Sequence, residues 1–178
     1  FIVLKDGTIN EVLIDASGAT PTGRTIRTMK LGSQSEGCVV DDRTGKLYVA
    51  EEDLGLWRFD PGSTSPVMIG AADGRKIVMD AEGVALAPVG DAGGYVVVSS
   101  QGDNAYALYR LPDETYAGRF RVVDGATIGG SEETDGIELM LGDFGPDYPA
   151  GLFIAQDGHN GAKAQNFKLV SWADIVAA

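Results

Sequence analysis

The sequence predicts an all-β fold of the β-propeller type, and three observations support it: a repeated unit, abundant glycine and scarce helical patterning. Each of three segments opens with an acid before glycine, forms an apolar strand and a turn, and ends a second apolar strand in a polar cluster. The marking acids, Glu36, Glu82 and Asp135, are separated by 46 and 53 residues. Repeats of roughly 40–50 residues are typical of four-stranded propeller blades. We therefore expect about three four-stranded blades.

The expected strands are apolar runs bounded by glycine-rich or polar turns. In chain order they are 35–40, 47–50 and 56–59, then 80–86, 95–98 and 105–111, then 134–139, 152–155 and 167–170. After the third unit, residues 171–176 predict a short helix with Ser171 as its N-cap. Because the repeat covers most of the chain, we expect a single domain.

The recurrence of an acid at the start of each unit predicts a ring of carboxylates. Blades stack around one axis, so equivalent residues of successive blades come close together. Taken singly, each acid-glycine pair is equally the mark of a turn. The recurrence in three units favours the ring.

The composition narrows the classes of partner. The 178 residues carry 26 carboxylates against 14 basic side chains, for a net charge of −12, which argues against a nucleic acid partner. The acidic surface fits either simple solvation or the binding of hard cations. The single cysteine, Cys38, excludes an internal disulfide and a cysteine-rich metal site. No apolar run reaches the roughly 18 residues of a membrane helix, so we expect no membrane partner.

The first residues indicate that the chain begins inside a fold rather than at its start. Residues 1–4 read as a strand and lack the charged start of a signal peptide. Three blades cannot close a propeller and would leave open sheet edges. We therefore expect an incomplete domain whose earlier part is missing from this chain, so that the chain could pair with that part, pair with a copy of itself, or be a fragment.

A series of short motifs, in one order and with similar spacing, resembles the bacterial β-propeller phytases of the Bacillus type. The motifs are SQSEGCVVDD at 33–42, LYVAEED at 47–53, DAEG at 80–83, SSQG at 99–102, ETDGI at 133–137, GPDYP at 145–149, GLFIAQDG at 151–158 and QNFK at 165–168. The likeness covers nearly the whole chain. It implies that residues 1–178 are the C-terminal half of a single six-bladed propeller phytase domain.

The resemblance also implies a calcium-dependent hydrolysis of phosphate monoesters from phytate, myo-inositol hexakisphosphate, by a water that bound calcium makes more acidic. It further implies a secreted or periplasmic location. By motif position, the residues that would hold several catalytic Ca²⁺ ions are Glu36, Glu52, Asp80, Glu82 and Asp135. Carboxylate oxygens suit calcium, which accepts six to eight of them.

Other site residues are implied by their place in the motifs. Lys5 stands at the position of a phosphate-binding lysine, and Asp6 stands where the family usually carries a glutamate; without the resemblance, Lys-Asp-Gly is a hairpin turn. Asp157 and Asn160 resemble ligands of a structural calcium loop. Gly129 departs from the family, which commonly has an aspartate there, so this position offers no side-chain oxygen.

Two other functions stay open at this point. The chain could be a partial propeller that binds calcium without catalysis, because the N-terminal half of the family's site has no counterpart here. It could also be a calcium-dependent propeller lactonase, although the SQSEGC and EED motifs speak against this.

Overall fold

The computed structural model describes residues 1–177, which form an almost entirely β structure. Fourteen strands are followed by one short helix. They are β1 (Ile2–Val3), β2 (Thr8–Asp15), β3 (Thr22–Lys30), β4 (Ser35–Asp41), β5 (Lys46–Glu51), β6 (Gly55–Phe59), β7 (Pro66–Ala71), β8 (Ala81–Val89), β9 (Gly93–Ser100), β10 (Ala105–Leu111), β11 (Thr115–Phe120), β12 (Ile137–Met140), β13 (Leu152–Asp157), β14 (Asn166–Ser171) and α1 (Trp172–Ala177).

The strands form four antiparallel sheets that follow one another along the chain. Their orders are β1-β2-β3, β4-β5-β6-β7, β8-β9-β10-β11 and β12-β13-β14. Neighbouring strands in each sheet are consecutive in sequence, as in the blades of a propeller. The prediction of an all-β, partial propeller is therefore confirmed, and the four sheets do not close into a ring.

The prediction of about three four-stranded blades needs a correction. Two sheets have four strands, and the first and the last have three. The first sheet, within residues 2–30, was missed because it contains no acid-glycine step at the start of an inner strand. Its strand β1 contacts β4, as both β4 and β5 contact β8.

Three apolar clusters hold successive sheets together. Ile9 and Met29 of the first sheet pack with Val49 of the second, and Tyr48 packs with residues of β9 and β10 in the third. Phe153 of the fourth sheet packs with the third sheet. These side chains are at most 2% exposed, and each contributes about 1.5–3 kcal/mol by burial. The sheets thus stack face to face.

The strands β4, β8 and β12, here called the inner strands, lie side by side where the sheets meet. Glycine allows this approach. A Cβ atom on Gly37 of β4 would lie 2.6 Å from the carbonyl oxygen of Glu82, and one on Gly83 of β8 would lie 2.7 Å from the nitrogen of Ile137. Gly37 and Gly83 are therefore required by the close packing of backbones, and the acid before each of them lies beside the next inner strand.

The predicted C-terminal helix is present as α1, directly after β14. Trp172 at its start is 6% exposed, and its ring packs edge-to-face on Tyr95 at a centroid distance of 6.1 Å. Its backbone N–H donates to the carbonyl of Gly151 at 3.0 Å. Among the described residues, no helix has the length and apolar character needed to cross a membrane.

The last sheet has one uncovered apolar face. Met140, Phe167 and Leu169 are more than half exposed, and the strand register places them on the same side as Leu152 and Ile154. The opposite side of this sheet carries the buried Phe153. The second and third sheets have both faces packed against neighbours, so the last sheet differs from them in this respect.

Candidate metal centre

Three glutamates converge where the second and third sheets meet. Glu36 lies in β4, Glu52 directly follows β5 and Glu82 lies in β8. One carboxylate oxygen from each lies within 4.8 Å of those of the other two. We call these residues the glutamate trio. Residues that are 46 positions apart in the chain are thus brought together by the side-by-side packing of the inner strands.

The trio and two aspartates form one electrostatic cluster. Burial, and then four neighbouring carboxylates, raises the pKa of Glu82 from its usual 4.5 to about 8. In decreasing order of effect these neighbours are Glu36, Asp135, Glu52 and Asp80. Like charges at short range oppose each other's ionisation, so this cluster favours either a bound proton or a bound cation. We call the five residues the carboxylate cluster.

The pKa of Glu52, directly after β5, is also affected by the carboxylate cluster. Burial and the charges of Asp80 and Glu36 raise its pKa. Lys5 acts in the opposite direction, but it is the only basic group that lowers the pKa of Glu52 among its main causes. The cluster therefore keeps an excess of negative charge.

Lys5 lies at the edge of the cluster. Its ammonium nitrogen is 3.7 Å from Oε1 of Glu36, and its side chain is 80% exposed. Such a loosely held ammonium can turn toward an anionic ligand with little loss. The structure thus places Lys5 beside Glu36, and the role of Lys5 in phosphate binding stays a prediction.

Asp6 is turned to other partners. Its Oδ1 accepts a hydrogen bond from the backbone N–H of Thr8 at 2.9 Å, and its Oδ2 lies 3.4 Å from the ammonium of Lys30. The hydrogen bonds from Thr8 lower the pKa of Asp6. The structure thus gives this residue the turn geometry that a Lys-Asp-Gly sequence predicts by itself, and it does not place Asp6 in the glutamate trio.

Asp135 is held by two glutamine side chains. Its backbone N–H donates to Oε1 of Gln156 at 2.9 Å, and Nε2 of Gln101 donates to its Oδ1 at 2.6 Å. Sequence reasoning did not select Gln101 as a site residue. The SSQG motif could have identified it. Gln101 directly follows β9, the second strand of its unit, just as Glu52 directly follows β5.

The residue before Asp135 is anchored in the core. The carbonyl of Thr134 accepts a hydrogen bond from Oγ of Ser99 at 2.8 Å. The hydroxyl of Tyr106 hydrogen-bonds with Oγ1 of Thr134 and with Oγ of Ser131, both at 2.7 Å. These residues are at most 2% exposed. A buried hydrogen-bond network therefore fixes the backbone that presents Asp135.

The predicted ligands of the structural calcium loop contact other groups of the protein. Asp157 is 1% exposed; its Oδ2 is 3.0 Å from the ammonium of Lys168, and its Oδ1 accepts a bond from the N–H of Glu132 at 3.1 Å. Asn160 donates from Nδ2 to the carbonyl of Ala164 at 2.8 Å. Both carboxylate oxygens of Asp157 thus have partners within the protein, and its assignment as a calcium ligand stays a prediction.

Gly129 lines the same open cavity as Asp157 and Asn160, with a volume of about 1050 Å³. A Cβ atom added at Gly129 would lie 3.7 Å from Oδ1 of Asp124, which is ordinary van der Waals contact. Oδ1 of Asp124 accepts the N–H of Gly130 at 2.8 Å. The carboxylate nearest to Gly129, where the family commonly has an aspartate, is therefore that of Asp124. Sequence reasoning did not select Asp124.

The donor set of the glutamate trio fits a hard cation. Its ligand atoms are carboxylate oxygens, and the trio includes no histidine or cysteine. Calcium prefers such oxygen donors and tolerates irregular geometry, whereas zinc prefers nitrogen and sulfur. The unfavourable charge of the cluster is the kind of cost that a bound divalent ion offsets.

The fold and this site define a partial β-propeller with a carboxylate cluster at the meeting point of its inner strands. The family model described as Phytase matches residues 1–178. The chain is also 42% identical, over 171 residues, to the protein named 3-phytase of Bacillus subtilis (strain 168). This match covers 92% of the chain and 45% of that relative, so the chain spans less than half of the relative's length. The chain belongs to the phytase family.

Proposed function

We propose that residues 1–178 form the C-terminal half of a propeller domain that hydrolyses phosphate monoesters of phytate with the help of calcium. The observation that carries the calcium part is the glutamate trio, in which three ligand oxygens lie within 4.8 Å of one another. Family membership and the name of the Bacillus subtilis relative support the substrate class. The same comparisons favour a phytase over a propeller lactonase.

Charge explains why such a protein would need a metal. The chain has a net charge of −12, and phytate is itself a polyanion, so the two repel each other without a bridging cation. When bound, calcium supplies positive charge to phosphate oxygens and makes a neighbouring water more acidic. In this proposal Glu36, Glu52 and Glu82 hold the ion, and Asp80 and Asp135 complete its negative surroundings.

The chain's other residues position the substrate. The exposed ammonium of Lys5, 3.7 Å from Glu36, donates hydrogen bonds to a phosphate group placed beside the cluster. Gln101 holds the carboxylate of Asp135 in one orientation through the 2.6 Å hydrogen bond. Asp6 keeps its hydrogen bond to Thr8 in the turn. Any role of Asp6 in the reaction requires its carboxylate to break the ion pair with Lys30.

The remaining part of the proposed domain covers the open ends of this chain. The uncovered face with Met140, Phe167 and Leu169 is suited to packing against another blade, as the equivalent faces of the second and third sheets do. The partner in this proposal is the N-terminal half of the same propeller, in keeping with the greater length of the relative. Export from the cell is also part of the proposal, and fractionation of producing cells tests it.

A second candidate function is calcium binding without catalysis by residues 1–178 alone. The three-stranded first and last sheets and the uncovered apolar face favour it. In this case the isolated chain binds calcium and releases no phosphate, and the N-terminal half restores hydrolysis.

The test is phosphate release from phytate by residues 1–178 co-expressed with the N-terminal half, with calcium and after chelation. We expect release only with calcium, and a loss of at least tenfold in Glu36→Gln. The matched control is Asp42→Asn, which removes an exposed carboxylate just beyond the opposite end of β4. Equal release with and without calcium contradicts the metal requirement, and hydrolysis of a lactone without phosphate release contradicts the substrate class.

A further inference from the structure

A second carboxylate group lies beside the glutamate trio but faces away from it. Glu51, at the end of β5, is 0% exposed. Side chains alternate along a strand, so Glu51 shares a face with Leu47 and Val49. Those two residues pack with Ile9 of the first sheet. Glu51 is therefore buried between the first and second sheets.

Only one of the two carboxylate oxygens of Glu51 has a partner. Oε1 accepts hydrogen bonds from the backbone N–H of Ser33 at 2.6 Å and from its hydroxyl at 2.8 Å. Oε2 is buried and has no hydrogen-bond partner. None of the ion pairs formed within residues 1–177 includes Glu51. Glu51 is thus a buried acid that forms no ion pair within the described residues.

A second unpartnered oxygen lies on the directly opposed residue. Ser35 and Glu51 are paired across β4 and β5, and residues paired in this way point to the same face. Ser35 is 2% exposed, and its hydroxyl also has no hydrogen-bond partner. Two buried oxygens on neighbouring side chains, one of them from a carboxylate, therefore share one small region.

Physical chemistry requires a partner for these atoms. A buried ionised carboxylate is strongly unfavourable unless it is paired or coordinates a metal, and a buried hydroxyl without a partner also costs free energy. We propose that Oε2 of Glu51 and Oγ of Ser35 are ligands of a calcium ion buried between the first two sheets, separate from the glutamate trio. Backbone carbonyls and water supply its remaining oxygens, since calcium takes six to eight.

Such an ion fixes the segment that leads into the trio. Through Ser33, Glu51 holds the connection between β3 and β4. The side chain of Gln34, in the same connection, donates to Oε1 of Glu36. A cation at Glu51 therefore stabilises the junction of the first two sheets and the approach to Glu36, a role different from holding substrate.

The test counts bound calcium in the co-expressed protein by equilibrium dialysis with metal analysis. We expect Glu51→Gln, which keeps an acceptor for Ser33 and removes the charge, to bind one calcium fewer than the parent. We expect Ser35→Ala to keep the site with about tenfold weaker affinity, which equals about 1.4 kcal/mol. Because Ser35→Ala is a small change, it serves as the test if Glu51→Gln fails to fold.

The opposite outcome is equally clear. If a proton or a water occupies this place, both variants bind as much calcium as the parent, and Ser35→Ala is as stable as the parent or more stable because it loses an unsatisfied hydroxyl. That result overturns the proposal. In the same experiment, Glu82→Gln tests the glutamate trio. If Glu82→Gln binds as much calcium as the parent, the proposed function is contradicted, whereas the proposal for the Glu51 site is unaffected.

Discussion

At the scale of single residues, Glu82 bears the largest electrostatic cost in the cluster. It is only 8% exposed, and its pKa of about 8 reflects burial and four nearby carboxylates. In the absence of metal this residue holds a proton at pH values where an unfolded glutamate does not. The native state then binds more protons than the unfolded state between about pH 4.5 and 8.

The first prediction is that metal-free protein loses stability as pH rises through this window. Since the native state binds the extra proton, the free energy of unfolding falls as pH rises and levels off above about 8. Each unit of pKa difference corresponds to about 1.4 kcal/mol. Urea unfolding at pH 5, 6.5 and 8 after metal removal measures this slope. We expect Glu82→Gln to flatten it and saturating calcium to restore stability at pH 8; an equally steep slope in Glu82→Gln assigns the effect to other groups.

The second prediction compares two buried tyrosines. Tyr106 uses its hydroxyl to hold Ser131 and Thr134, whereas the hydroxyl of Tyr109 is buried without a partner. We expect Tyr106→Phe to lower the free energy of unfolding by about 1–3 kcal/mol, because it leaves partners unsatisfied, and Tyr109→Phe to be neutral or stabilising. Tyr106→Phe should also weaken calcium binding, since its network fixes the backbone before Asp135. Equal losses in both variants would show that the network carries no special role.

At the scale of elements, the acid-glycine step joins fold and site. The acid supplies the carboxylate, and the glycine lets one inner strand approach the next. The repeat is therefore visible in the sequence as a pair of residues, although the acid serves the site and the glycine serves the packing of the strands. This is why Glu36 and Glu82 could be predicted as neighbours from their place in the repeat.

The third prediction tests the glycine half of this step. A Cβ atom in Gly83→Ala would meet the backbone at Ile137 and Asp135 at 2.7 and 2.8 Å, so β8 and β12 must separate. We expect a loss of about 1–3 kcal/mol in the free energy of unfolding, as for other overpacked sites, together with weaker calcium binding. Gly136→Ala is the control, because no atom lies within 4 Å of its added Cβ. A harmless Gly83→Ala contradicts the close packing of the inner strands.

Other elements were beyond the reach of sequence reasoning. The first sheet has mostly exposed residues in β3 and carries no acid-glycine step at the start of an inner strand, so its strands lacked the repeat that identified the others. The pairing of Gln101 with Asp135, and of Asp157 with Lys168, depends on how separate strands approach one another. Periodicity predicts which residues face a core, but it gives no partner for an individual polar side chain.

At the scale of the whole molecule, the uncovered face of the last sheet is the most informative surface. Apolar patches of this kind on a folded protein mark a surface that another part of the structure covers. The chain spans less than half of the relative's length, and in the proposed function the N-terminal half of the propeller covers this face.

The fourth prediction concerns this face. We expect residues 1–178 alone to self-associate, and Leu169→Asp to reduce that association while also preventing assembly with the N-terminal half. Val123→Asp is the matched control, because Val123 is 70% exposed and lies in a loop outside the last sheet. Light scattering after gel filtration measures both effects. A monomeric chain whose assembly tolerates Leu169→Asp would show that this face stays open to solvent.

The central claim is that carboxylates from successive inner strands together hold calcium, and titration calorimetry of calcium into metal-free protein tests it most directly. The fifth prediction is a clear binding isotherm for the parent and for Asp42→Asn, and binding at least tenfold weaker at one site in Glu82→Gln. Identical isotherms for the parent and Glu82→Gln, or no heat of binding in the parent, contradict the claim.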